Sequence, residues 1–173
     1  DGVGILLALW MQKIKMNKTI PGIELSEKCI EYCSQKNLSV AFLGAMPDVI
    51  PAMLEVFRKK YSNLNVTFAK DGYYPQDKEE EIVSAIAAKS PSLVLVALGV
   101  PKQEIWIKKY KELFPNSVLI GVGGSFNVWS GKVKRAPKIF RKFKLEWLYR
   151  LLSEPFRAKR IFSSLPYFVL QLF

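Results

Sequence analysis

The stretch "SLVLVALGVPKQE", residues 92–104, decides how this chain folds. Its first half is an unbroken apolar run of strand length, and Gly99 closes it. A strand that is apolar at every position, rather than at every second one, has both faces covered, as a central strand of a parallel sheet does. Its second half, Pro101-Lys102-Gln103-Glu104, reads as the start of a helix.

Three further runs of the same kind lie on either side: "LSVAFLG" (38–44), "LNVTFAK" (64–70) and "SVLIGVGG" (117–124). Each gap between runs holds a helical pattern. "PDVIPAMLEVFRKKY" (47–61) spaces Val49, Ile50, Met53, Leu54 and Phe57 for one helix face. "DKEEEIVSAIAAK" (77–89) opens with acids, as the positive end of a helix macrodipole favours, and should bury Ile82, Ala85 and Ile86. "PKQEIWIKKYKELF" (101–114) should present Ile105, Trp106, Tyr110 and Leu113 on one broad face. Two more helices are expected at 3–16 and 24–36. The order β-α-β-α-β-α-β places the chain in the α/β class, with a Rossmann-like parallel sheet, flanking helices and right-handed crossovers.

Charge divides the chain. Residues 131–173 carry eleven Lys or Arg against Glu146 and Glu154, whereas residues 1–130 carry fifteen against thirteen acids. The expected division is therefore a near-neutral α/β core at 1–131 and a basic, amphipathic helical appendage at 132–173. In "KLEWLYRLL" Leu145, Leu148, Tyr149 and Leu152 share a side, and in "EPFRAKRIF" Arg157 and Arg160 share a face. Basic residues interleaved with Phe, Trp and Tyr leave three readings open. They are an interfacial membrane helix, a nucleic-acid surface and a solvated basic face over a helical cap.

Several chemistries are disfavoured. The chain has no His, so a zinc site or a His-dependent triad is not expected. Cys29 and Cys33 stand four apart on a predicted helix and read as small apolar residues in a reducing, cytosolic compartment. Neither G-x-G-x-x-G nor a P-loop occurs. The opening "DGVGILLALW" does not read as a signal peptide, and "IFSSLPYFVLQLF" (161–173), interrupted by Pro166, is too short to span a bilayer.

Parallel sheets bind ligands at the carboxyl ends of their strands. Those ends are "GAMP" (44–47), "DGYY" (71–74), "GVPKQE" (99–104) and "GVGGSF" (121–126). Glycine there permits positive φ and close approach of the backbone, and a helix N-terminus that follows offers free N–H groups to phosphate. The candidate substrate-binding residues are Gly44 and Ala45 in the first loop and Tyr73 in the second. The third supplies Gly99, Pro101, Lys102 and Glu104, and the fourth Gly123, Gly124 and Ser125. A phosphate-bearing ligand fits this set.

Taken together, "DGVG", "GIEL", "LGAMP", "DGYY", "ALGVPKQEIWI" and "GVGGSFNVWSGKVKRAP…LEWLYRLLSEPFR" resemble the WecG/TagA/CpsF glycosyltransferases, glycosyltransferase family 26, in the family's order along nearly the whole chain. The resemblance implies an inverting, metal-independent transferase with no cofactor. It would move N-acetylmannosamine or a related sugar from a UDP-sugar to polyprenyl-diphosphate-linked N-acetylglucosamine. One branch of the family makes the linkage unit of wall teichoic acid. By the same resemblance Asp1 is the catalytic base and Gln103 a donor-site residue. Arg150, Arg157 and Arg160 are tail arginines that close over the active site at the membrane. The enzyme would lie in the cytoplasm, held peripherally on the inner face of the bacterial membrane, with no nucleic-acid partner and with homo-oligomer formation left open. Against the family pattern, the chain is expected to lack the N-terminal part of the family domain, the segment before "DG". Thr19 stands where many relatives have Arg, and Glu24 replaces a common Asp. Asn127 replaces the Asp of "SFDF" and is assigned no proton-transfer role.

Overall fold

The computed structural model describes residues 9, 11–14, 20–137, 140, 148 and 149. The chain divides into Ile20–Lys134 and a second unit made of Asp1–Thr19 with Arg135–Phe173. The larger unit holds α1 (Gly22–Gln35), β1 (Ser39–Gly44), α2 (Val49–Lys60), β2 (Asn65–Lys70), α3 (Glu79–Ala87), β3 (Leu93–Ala97), α4 (Lys102–Tyr110), β4 (Val118–Gly121) and α5 (Ser125–Trp129). In the second unit the rings of Phe140 and Tyr149 stack at a tilt, 5.4 Å between centroids. The helices expected at 3–16 and across 134–162 lie largely outside the described residues.

All four strands are parallel, in the order β2-β1-β3-β4. The strand-forming runs thus lie where the sequence placed them, although β3 and β4 stop two and three residues earlier than expected. Every residue of β3 is buried. Alternation sorts its side chains: Leu93, Leu95 and Ala97 join Val40 and Phe42 of β1 on one face, while Val94 and Val96 join Ala41 and Leu43 on the other. The first face is covered by α1, α2 and α5 through Ile30, Met53, Phe57, Phe126 and Trp129. The second is covered by α3 and α4 through Ile82, Val83, Ile86, Trp106 and Tyr110. Each large side chain fully buried in this way contributes about 1.5–3 kcal/mol relative to exposure. This two-sided burial is why β3 reads as a continuous apolar run.

The helix that carries the chain outward to β2 lies on one face, and those that carry it the other way to β3 and β4 lie on the opposite face. All three crossovers therefore have one hand, in keeping with the right-handed rule for parallel sheets. Local chemistry sets the helix ends. α1 starts directly after Pro21, whose carbonyl accepts the N–H groups of Glu24 and Leu25 at 2.9 and 3.0 Å. It stops at Asn37, with φ +52°, where the Leu38 N–H returns to the Cys33 carbonyl at 2.8 Å. Cys29 is half-buried, Cys33 is buried, and both pack on the core.

Two helix faces differ from expectation. In α4, Trp106 and Tyr110 are buried, but Ile105 and Leu113 are mostly exposed. The inward stripe runs through Gln103, Trp106 and Tyr110, spaced i, i+3 and i+7, and Ile105 falls beside it. Leu113 lies in the 3₁₀ turn Lys111–Leu113, whose wider step per residue rotates it outward. In α3, Val83 takes the inward place expected of Ala85, which faces solvent. A helix touching one sheet buries only a narrow stripe.

Candidate functional site

The chain leaves β1 in one direction to form β2, then crosses back to form β3 and β4. The switch point therefore lies between the carboxyl ends of β1 and β3, where open α/β sheets bind ligands. Gly44 ends β1 with φ +122°, and a Cβ there would lie 2.4 Å from the carbonyl carbon of Ala97. No side chain fits between these two strand ends. Ala45 follows at φ +61°, the left-handed region, which costs an L-residue about 1–2 kcal/mol. Two hydrogen bonds hold it: its N–H donates to the Ala97 carbonyl at 2.9 Å, and its carbonyl accepts the Gly72 N–H at 2.9 Å.

The second loop is thus drawn over the end of β1. A Cβ on Gly72 would lie 3.0 Å from Leu98 Cδ2 and 3.2 Å from Gly44 Cα. The next residue, Tyr73, donates its N–H to Asp71 Oδ1 at 2.8 Å and is 71% exposed. Tyr74 turns inward. Burial, then the nearby Glu79 carboxylate and Tyr110, push its pKa up to about 12. An unfolded tyrosine ionises near pH 10, so this contribution to stability is complete below pH 10 and is lost as pH rises toward 12. Tyr74→Phe should flatten that alkaline loss, read as unfolding midpoints in urea at a series of pH values. An unchanged alkaline limb would contradict this account.

Gly99, at φ +78°, opens the third loop, and its carbonyl accepts the Gln103 N–H at 2.9 Å. The Val100–Pro101 peptide is cis. Lys102 is exposed at the first position of α4. Gln103 is 4% exposed. Its Oε1 accepts the Gly123 N–H at 3.0 Å, and its Nε2 donates to Glu104 Oε1 at 2.8 Å. In the fourth loop Gly123 has φ +49°, Gly124 precedes α5, and Ser125 Oγ donates to the Val122 carbonyl at 2.8 Å. Asp48, just past the first loop, leaves α2 uncapped and pairs with Lys132. The Lys132 hydrogen bond holds the Asp48 carboxyl below the usual carboxylate range.

The structure thus joins Gly44 and Ala45 to the ends of β2 and β3. It joins Gln103 and Glu104 to Gly123. Asp1, Arg150, Arg157, Arg160 and Thr19 lie outside the described residues. Sequence reading placed Gly72 and Gly121 in the strand-end loops without naming them as candidates, and it passed over the Asp48–Lys132 pair. The glycines carried a signal, because Gly72 follows Asp71 just past β2 and Gly121 ends β4 two residues before Gly123. The ion pair carried none, since its partners are far apart in the chain. Among the described residues no group of His, Cys, Asp or Glu could hold a metal ion, and no helix is long and apolar enough to cross a membrane.

This switch point sits in a chain that matches, over residues 1–173, the model of the glycosyl transferase WecG/TagA/CpsF family. The chain belongs to that family. It is 39% identical over 163 residues to an N-acetylglucosaminyldiphosphoundecaprenol N-acetyl-beta-D-mannosaminyltransferase of Bacillus spizizenii, covering 94% of this chain and 63% of that protein. It is 37% identical to the Bacillus subtilis protein of the same name, with the same coverage. It is 36% identical over 172 residues to the Staphylococcus aureus one, covering 99% of this chain and 66% of that protein. The chain therefore spans a little under two thirds of the length of these family members.

Proposed function

We propose that this chain carries the core of an inverting glycosyltransferase. It moves N-acetylmannosamine, or a related sugar, from a UDP-sugar to polyprenyl-diphosphate-linked N-acetylglucosamine, the chemistry of a teichoic acid linkage unit. The observation that carries the reading is family membership along the whole chain, on a parallel sheet whose switch point lies beside Gly44 and Ala45. The names of the relatives supply the sugar and the acceptor.

The residues suit the reaction. The acceptor hydroxyl oxygen attacks the anomeric carbon, the bond to the diphosphate oxygen breaks on the opposite side, and UDP departs. One carboxylate must take the hydroxyl proton, the role assigned to Asp1. The departing diphosphate needs positive charge, which Lys102 at the start of α4 and the tail arginines would supply without a metal. Tyr73 and the exposed backbone of Gly99 would lie along the bound donor. Nothing in the described geometry favours a nucleic-acid partner.

A lipid-linked acceptor calls for a membrane surface, and the basic residues of 132–173 would hold the enzyme there at about 1 kcal/mol per Lys or Arg near anionic lipid. The deciding experiment follows UDP release from UDP-N-acetylmannosamine with and without the lipid-diphosphate acceptor. Acceptor-dependent release is expected, and its absence from a protein that still binds UDP would rule out this donor and acceptor pair. Arg157→Ala or Arg160→Ala should lower transfer about 10²-fold, as loss of one charge-stabilising group does, while UDP affinity changes far less. An equal fall in UDP affinity would make these arginines donor-site groups instead.

A further inference from the structure

We infer that Gln103 is a positioning residue that clamps the β4–α5 loop onto α4, rather than a group that contacts the diphosphate. The inference rests on the sugar-nucleotide reading for what the loop then holds. Three observations lead to it. Gln103 occupies the inward stripe of α4 with Trp106 and Tyr110, a place where an apolar residue would ordinarily sit, and it is 4% exposed. Both ends of its amide are engaged within the protein: Oε1 takes the Gly123 N–H at 3.0 Å, and Nε2 gives a proton to Glu104 Oε1 at 2.8 Å. The two partners fix which end of the amide is oxygen, because a backbone N–H can only donate and a carboxylate can only accept. Finally, β4 makes room for it. A Cβ on Gly121 would lie 2.7 Å from Nε2 and 3.1 Å from Cδ.

Gly121, Gln103 and Gly123 therefore form one device. Glycine at 121 admits the amide, and the amide holds Gly123 at φ +49°. The Gly123–Gly124 turn is kept beside Lys102 and the third loop, so that two strand-end loops present one preformed surface to the donor. Preformed surfaces raise affinity because ordering does not have to accompany binding.

Three variants of the full chain test this: Gln103→Leu, Gly121→Ala, and the exchanged pair Gln103→Glu with Glu104→Gln. The readouts are hydrogen exchange at the Gly123 amide and UDP affinity by calorimetry. Gln103→Leu removes the acceptor, so Gly123 exchange should quicken about 5–10-fold, the worth of one hydrogen bond, with a similar weakening of UDP. Gly121→Ala leaves Gln103 in place but pushes on its Nε2 end, and should quicken Gly123 exchange by less than Gln103→Leu does, because Oε1 is not the atom displaced. The exchanged pair keeps an acceptor facing Gly123 and a donor between positions 103 and 104. It should return Gly123 exchange to within about 2-fold of the unsubstituted chain, less than half of one hydrogen bond. If Gln103→Leu weakens UDP far more than it quickens Gly123 exchange, Gln103 touches the ligand directly and the inference is wrong. If Gln103→Leu leaves Gly123 exchange unchanged, the clamp does not exist. Failure of the unsubstituted chain to bind UDP would remove the sugar-nucleotide reading, and the clamp would then stand or fall on the exchange data alone.

Discussion

Gly44→Ala should cost the chain about 4 kcal/mol of stability and move its urea unfolding midpoint far below that of the unsubstituted protein. The new methyl would meet backbone, not a side chain that can swing aside: Ala97 C at 2.4 Å, O at 2.5 Å and Cα at 2.8 Å. The φ of +122° adds strain of about 1–3 kcal/mol. Separating the ends of two paired central strands adds about 1–3 kcal/mol more, as overpacking does in a dense core. A total near 4 kcal/mol is a large part of the roughly 5–15 kcal/mol that holds a domain together. Gly99→Ala is the control. Its φ is +78°, but nothing lies within 4 Å of the added carbon, so only the backbone penalty of about 1–2 kcal/mol applies. Urea unfolding followed by circular dichroism measures both. Equal midpoints for the two variants would mean that the close approach of β1 and β3 is not what demands glycine.

The largest effect on activity is expected at Asp1. With Asp1 in the proposed role of general base, Asp1→Asn should lower acceptor-dependent transfer about 10²–10⁴-fold, the usual worth of such a group. Donor binding should change little, because the amide keeps the size of the carboxylate. The pH dependence provides the sharper check. Loss of a base removes the rise of rate with pH on the acid limb, so the residual rate of Asp1→Asn should be flat there. A residual rate that still rises with pH would place the base elsewhere. Asp48 would be an unsuitable substitute, since its carboxylate is paired with Lys132.

Some of this architecture is local in origin and so was open to reading. A strand buried on both faces needs an apolar residue at every position, and β3 therefore announced itself in residues 93–97. The helices between strands showed their inward stripes, and the glycines marked the strand-end loops, because positive φ is a property of one residue's own backbone. The family motifs were likewise contiguous.

What needed the tertiary structure were relations between distant residues. The strand order β2-β1-β3-β4, and with it the switch point, depends on which runs pair, and parallel strands carry no turn that fixes this. Gly44 is obligatory because of Ala97, a residue of the neighbouring strand. Ile105, Leu113 and Ala85 are apolar yet face outward, since the sheet reaches only a narrow stripe of each helix. Gln103 shows the division most plainly. Its motif could be read from the sequence, and so could its helix. Its partners could not: Gly123 lies twenty residues ahead, and Gly121 makes space for the amide only once β4 lies beside β3. Hydrophobic period and backbone preference act along the chain and are written in it, whereas close approach and hydrogen-bond pairing act across the fold and exist only when the strands have met.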